Sequence, residues 1–153
     1  ILPQQFTWQG YEDRLSGWRD AHFEKNITIR PSLRCKPDKN KKFSSESDIG
    51  YEEVTSLINK KIKFDAIFAM NDMLAMGCYQ AAKEKKLEIP KHFSIIGFDN
   101  SVTAFNLRPT LSSIQLPIAE MTRKAIQHIF DDKNYDENYK VYVECKLVER
   151  NSI

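Results

Sequence analysis

The sequence has little of what marks several specialised classes of protein. Five Gly and six Pro among 153 residues are ordinary numbers, which argues against a collagen-like chain or a proline-rich linker. No apolar run approaches the roughly 20 residues needed to cross a bilayer. The first ten residues also lack the basic-then-apolar layout of a signal peptide. We therefore expect a globular protein in a soluble, cytoplasmic setting, with no membrane partner.

An excess of charge of one sign is also missing. The 23 basic and 21 acidic side chains give a formal net charge of only +2, and they alternate along most of the chain. Nucleic-acid-binding domains usually concentrate basic residues on one face or stripe. This chain by itself is therefore expected to bind DNA only weakly.

The three cysteines, Cys35, Cys78 and Cys145, are widely separated and odd in number. They do not form the paired CxxC spacing of a structural zinc site. Free cysteine commonly behaves as a small core hydrophobe, so we expect three buried thiols.

Motifs for catalysis are absent as well. The sequence contains no GxSxG elbow, no Gly-rich phosphate loop and no HExxH pair. A hydrolytic carboxylate pair of Asp72 and Asp99 can be considered, but helix capping explains Asp72 more simply. We expect no metal site, no cofactor and no enzymatic activity.

The strongest periodic signals indicate one α/β domain. Tyr11, Leu15 and Trp18 recur at helical spacing. The run FDAIFAM (64–70) is typical of a strand buried on both faces of a parallel sheet. A helix with Asp72 as its N-cap and the strand SIIGFD (94–99) follow it. Strand, helix and strand in close order predict βαβ units with parallel pairing.

The remaining segments carry weaker signals. We predict a strand over 27–35 that is interrupted or lies at a sheet edge, a solvated loop over 36–48 and a short helix around 54–58. Further along, we predict a strand over 111–116, a helix beginning near Pro117 and a final strand over 141–147.

Polar residues follow two of the predicted strands at the edge where ligands bind in parallel α/β sheets. Asn71 follows FDAIFAM, and Asp99 ends SIIGFD. An amide offers both donor and acceptor and a carboxylate accepts hydrogen bonds, so the pair suits the hydroxyls of a sugar. Taken alone, both residues are explained better as polar residues that cap loops, because Asn and Asp are common in turns.

Several motifs together resemble the LacI/GalR family of bacterial transcription regulators. In chain order these are RLSGW (14–18), FDAIFAMND (64–72), SIIGFDN (94–100), LRPTLSS (107–113) and LVERNSI (147–153). The resemblance implies an α/β fold, namely a periplasmic-binding-protein-like (type I) lobe with a mainly parallel sheet flanked by helices. It also implies that the chain is part of a two-lobe domain.

The same resemblance implies which residues contact the effector. The residues that contact the sugar in the family correspond here to Arg14, Asn71 and Asp99. An aromatic near Phe43 would supply an apolar face for a sugar ring. A guanidinium can bind vicinal hydroxyls, a phosphate or a carboxylate. Without the resemblance, a surface salt bridge to a helix neighbour would be the preferred explanation of Arg14.

The family also forms homodimers, through segments that correspond here to the helix over 73–85 and the connection over 103–109. Met73, Met76 and Phe105 are the candidate apolar anchors of that interface. The competing interpretation of the methionines is that they face the sheet, as some residues of a βαβ helix must.

For the whole chain, 1–153, the resemblance implies the C-terminal part of an effector-binding domain, mostly its second lobe. Residues from about 111 to 131 would cross to the first lobe. The abrupt opening ILPQQF suggests that the chain begins inside a longer parent protein, and the resemblance implies that this parent carries a DNA-binding headpiece outside this chain. Expected partners are a sugar-like small molecule and, through the headpiece, operator DNA. The main alternative is a periplasmic or transport-associated sugar-binding protein of the same fold, and an enzyme on this scaffold is a third possibility.

Overall fold

A computed structural model describes residues 9–35, 41–130 and 140–153. The described residues contain five α-helices: α1 Gln9–Glu24, α2 Glu46–Asn59, α3 Asp72–Glu84, α4 Val102–Asn106 and α5 Ile118–Ile129. They also contain four strands: β1 Ala66–Phe68, β2 Ser94–Asp99, β3 Ser112–Gln115 and β4 Lys146–Val148. None of these helices is long and apolar enough to cross a membrane.

The strands form one sheet in the order β1-β2-β3-β4. The first three strands are parallel, with Ile67 opposite Ile95 and Ile96 opposite Ser112. β4 runs antiparallel to β3. The predicted α/β fold with a mainly parallel sheet flanked by helices is confirmed, and the carboxyl ends of β1 and β2 lie at the same edge.

The helices α2 and α3 approach each other unusually closely at two glycines. A Cβ on Gly77 would lie 1.9 Å from the Ser47 carbonyl oxygen, and one on Gly50 would lie 2.1 Å from the Leu74 carbonyl oxygen. Only glycine allows this contact, because any other side chain would collide with the facing backbone. The contact brings the N-terminal ends of the two helices side by side.

The core lies between these helices and the sheet. Its largest fully buried apolar side chains are Val54 of α2, Leu74 and Cys78 of α3, Ile95 of β2 and Leu111 just before β3. Burying side chains of this size contributes about 1.5 to 3 kcal/mol each. A strand lies within the run predicted over 64–70, but only Ala66–Phe68 pairs in the sheet. The expected burial on both faces is wrong, because β1 is an edge strand and Ala66 is exposed.

Three local predictions are wrong. The segment 27–35 is not a strand, since its only regular element is a 3₁₀ turn at Pro31–Leu33. Cys145 is exposed, whereas Cys35 and Cys78 are buried as expected. The N-cap of α3 is Asn71 and not Asp72, because the Asn71 side chain accepts a hydrogen bond from the Leu74 amide.

Two further boundaries differ from the prediction. α2 begins within the segment assigned to a loop, because Ser45 and Asp48 form a reciprocal capping box at its start. The last strand is shorter than predicted, and only Lys146–Val148 pairs with β3. Residues 141–145, which were predicted to belong to this strand, do not pair with β3.

The helix predicted near Pro117 is present as α5, but it buries none of its residues. Its exposed apolar side chains are Ile118, Met121, Ile126 and Ile129. An amphipathic helix normally packs its apolar stripe against another element. Within the described residues, this stripe has no such surface.

Candidate functional site

Three of the predicted ligand-binding residues converge at the carboxyl edge of the parallel strands. Arg14 of α1 donates a hydrogen bond from Nη1 to the Met70 carbonyl oxygen, at 3.2 Å. Its guanidinium carbon lies 3.7 Å from the centroid of the Phe98 ring. Met70 and Phe98 immediately precede Asn71 and Asp99, so Arg14 lies beside both strand ends. A cation held over an aromatic face is stabilised by the ring quadrupole.

The Asn71 side chain is held in one orientation by contacts on both sides of its amide. Its Oδ1 accepts a hydrogen bond from the Leu74 amide at 2.8 Å, and its Nδ2 donates to Glu46 Oε2 at 2.7 Å. The residue is 9% exposed. Asn71 therefore has a structural role as a helix cap in addition to any contact with a ligand.

Glu46 is a site residue that the sequence analysis missed. It is the first residue of α2, and its Oε1 accepts a hydrogen bond from the Tyr11 hydroxyl at 3.1 Å. Burial, assisted by the Glu46 charge and hydrogen bond, raises the pKa of Tyr11 to about 12. The capping signal Ser45-x-x-Asp48 could have placed Glu46 at a helix N-terminus, but not beside Asn71.

Asp99 ends β2 in a strained backbone conformation. Its φ is 104° and that of Asn100 is 53°, values that non-glycine residues rarely adopt and that often occur at functional sites. Within the described part of the chain, no protein hydrogen-bond donor reaches the Asp99 carboxylate. Desolvation by surrounding atoms raises its pKa to about 6, with Arg14 opposing the shift and Asp72 and Glu46 adding to it.

Asp72 holds the segment that follows Asp99 and joins it to β3. It is 1% exposed. Its Oδ2 accepts from the Ser101 amide at 2.7 Å and the Ser101 hydroxyl at 2.9 Å, while Oδ1 accepts from the Ser113 hydroxyl at 2.6 Å. Space for this carboxylate exists because Gly97 has no Cβ, which would lie 2.3 Å from Oδ1. Three donors already occupy Asp72, so its role is structural.

Phe43 lies apart from this group of residues. It is partly buried and packs against the hydrophobic core, with Lys41 Nζ 5.7 Å from its ring centroid. Among the described residues, no recorded contact joins it to Arg14, Asn71 or Asp99. Its role as an aromatic platform stays a prediction.

The candidate dimer residues lie on two neighbouring helices, Met73 and Met76 on α3 and Phe105 on α4. Met73 is 36% exposed and Phe105 is 53% exposed, and the Arg150 guanidinium carbon lies 4.2 Å from the Phe105 ring centroid. Met76 is half-buried and lines an open groove of about 600 Å³ together with Leu107 and Pro109. Neither methionine is fully buried against the sheet.

Comparison with known proteins gives one consistent family. The model of the periplasmic binding protein-like domain matches residues 2–153. The HTH-type transcriptional regulator MalR of Clostridium butyricum is 32% identical over 140 residues, covering 91% of this chain and 40% of the relative. The ribose operon repressor of Haemophilus influenzae is 33% identical over 144 residues, covering 93% and 42% respectively. The chain thus spans about 40% of the length of these curated relatives.

Solved structures show the same relationship. A sugar-binding transcriptional regulator of the LacI family from Escherichia coli, complexed with phosphate, superimposes with a TM-score of 0.80 at 27% identity. That match covers 97% of this chain and 51% of the other. A LacI-family regulatory protein from Chloroflexus aggregans also gives 0.80, at 28% identity, covering 92% of this chain and 50% of the other.

Proposed function

Because the chain belongs to the periplasmic-binding-protein-like domain family, in the form found in LacI-type transcription regulators, we propose that it binds a sugar-like effector that controls operator binding. In this proposal the chain is the C-terminal part of the effector-binding domain of a longer regulator. The two curated relatives described above are named as a transcriptional regulator and an operon repressor, not as enzymes. The proposed role accordingly involves no covalent chemistry.

The observation that carries the proposal is the convergence of Arg14, Asn71 and Asp99 at one sheet edge. The guanidinium, the amide and a carboxylate that no donor of the described residues reaches offer both donors and acceptors, as the hydroxyls of a sugar require. The strained backbone at Asp99 is consistent with a residue placed for binding and not for stability.

The unpacked face of α5 supports the proposed domain arrangement. Its exposed side chains, including Ile118 and Ile129, need an apolar partner, which a first lobe would supply if the segment from about 111 to 131 crosses to it. Ligand binding between two lobes would then close or reorient them. Such a change alters affinity for operator DNA only if the ligand binds one arrangement more tightly than the other.

The proposed partners follow from this arrangement. Operator DNA is bound by a headpiece outside this chain, in the cytoplasm, and a homodimer places two headpieces on two half-sites. Met73, Met76 and Phe105 are the proposed apolar anchors of the dimer. A transport-associated binding protein of the same fold is disfavoured by the names of the relatives, which are transcription regulators and repressors.

A thermal-shift screen of sugars on the intact regulator tests the proposal. A ligand at 100 times its dissociation constant stabilises a protein by about 2.7 kcal/mol. We expect at least one sugar to raise the melting temperature of the wild-type protein and to lose this effect in Asp99→Ala. A folded regulator that responds to no sugar would contradict the proposal.

A further inference from the structure

The proposed effector site contains more negative than positive charge. Among the described residues, the positive charge that acts on Asp99 is that of Arg14, whereas Asp72 and Glu46 are both negative and act in the opposite sense. Asp99 itself adds a third carboxylate. With one guanidinium and three carboxylates, the described side of this site disfavours an anion.

The N-termini of α2 and α3, which lie beside the site, do not offset this excess of negative charge. Helix N-termini often bind phosphate, because their free amides and dipole favour negative charge. In α2, Asp48 Oδ2 accepts from the Ser44 and Ser45 amides at 3.1 and 3.0 Å. In α3, the Leu74 amide donates to Asn71. Both helices thus begin with acceptors of their own, and each has an acidic first residue, Glu46 or Asp72.

Glu46 is placed to act on ligand choice through Asn71. One carboxylate oxygen accepts from the Asn71 amide and the other from the Tyr11 hydroxyl. The Gly77 contact with Ser47 keeps the two helix ends at this spacing. Glu46 therefore brings a fixed negative charge to the edge of the site and orients the Asn71 amide.

We propose that the effector is an uncharged polyhydroxylated molecule, and that Glu46 disfavours phosphorylated or carboxylated analogues. This inference rests on the proposed function and specifies its ligand. Hydroxyl groups can donate to Asp99 and accept from Arg14 without adding charge to a site that is already negative. A phosphate ester would place up to two negative charges beside Glu46 and Asp99.

Calorimetry on the intact regulator with matched ligand pairs tests the inference. Each pair consists of a neutral hexose, pentose or disaccharide and its phosphate ester, measured at the same pH and ionic strength. We expect every responding pair to favour the neutral member at least tenfold. Glu46→Gln, which keeps the side-chain shape and removes one charge, is expected to reduce that ratio about threefold or more.

Glu52→Gln is the matched control. It removes the same charge from the same helix, but Glu52 pairs with Lys41 at the surface, 2.6 Å away, and it should leave the ratio unchanged. A phosphate ester that binds more tightly than its neutral partner would overturn the inference and leave the proposed function intact. Equal changes in both variants would remove Glu46 from the explanation. A folded protein that binds neither member of any pair would reject the proposed function itself.

Discussion

Gly77 and Ser47 lie in direct backbone contact, so that a Cβ on Gly77 would come within 1.9 Å of the Ser47 carbonyl oxygen. This contact decides how α2 and α3 pack, and therefore how far Glu46 is from Asn71. A close contact between two helix backbones thus helps to determine the geometry of the candidate site.

Gly77→Ala is expected to destabilise the protein by about 2 to 3 kcal/mol, because overpacking between two backbones cannot be relieved by a rotamer change. Denaturant unfolding of the intact protein measures the change. Gly17→Ala is the control, since nothing lies within 4 Å of a Cβ at that exposed helical position. Alanine there should be neutral or stabilising by about 0.5 to 1 kcal/mol. A similar decrease in the free energy of unfolding in both variants would argue against the close contact between α2 and α3.

Arg14→Ala, Asn71→Ala and Asp99→Ala are each expected to weaken effector binding by about 1.5 to 3 kcal/mol, the range for hydrogen bonds to charged groups. Titration calorimetry measures this directly. Asn71→Ala should also lower the free energy of unfolding, because it removes the cap of α3. Wild-type affinity in a folded Asp99→Ala protein would remove the central residue of the site.

Effector affinity should fall as the pH drops through about 6. Asp99 has its pKa raised to about 6, and a ligand hydroxyl donates to its ionised form, which is complete only above that pH. The groups facing it are Arg14 and Tyr11 from α1, Glu46 from α2 and Asp72 from α3. The free energy of unfolding should change in the opposite direction and rise as the pH drops, because a raised carboxyl pKa means that the ionised form is disfavoured in the folded state.

Affinity measured between pH 5 and 8 tests this dependence. Asp99→Asn removes the titrating group, so its affinity should be weaker than that of the wild type at pH 8 and nearly independent of pH. If the affinity of Asp99→Asn changed with pH as steeply as that of the wild type, a group other than Asp99 would cause the pH dependence.

Met76→Arg is expected to abolish dimerisation of the intact regulator while the fold persists. The half-buried side chain lines the groove beside Leu107 and Pro109, and an unpaired charge buried between subunits costs several kcal/mol. Sedimentation at low micromolar concentration measures the oligomeric state. A fully dimeric, folded variant would show that this helix is not the interface.

Met121→Glu is expected to destabilise the intact regulator by about 2 kcal/mol or more, because the proposed first lobe would bury this position of α5. Gln127→Glu adds the same charge on the opposite side of the helix and should have little effect. Thermal unfolding of both variants measures the difference. Equal melting temperatures would argue against packing of the exposed α5 face.

The sequence by itself determined the order of the main elements and two residues of the candidate site. FDAIFAM and SIIGFD are compact apolar runs, and parallel strands end at one edge, so Asn71 and Asp99 could be placed together from local signals alone. The motif resemblance added Arg14, which no periodicity singled out.

Tertiary structure decided the rest, because the deciding contacts join residues far apart in the chain. Asp72 has the sequence signal of a helix cap, but it becomes a buried acceptor for Ser101 and Ser113 once β2 and β3 pack against α3. Glu46 carries no signal of a site residue, and it meets Asn71 only because glycines allow α2 and α3 to touch. Local sequence patterns indicate whether a side chain lies on the buried or the exposed face of its helix or strand. Which residue it contacts there depends on how the helices and strands pack.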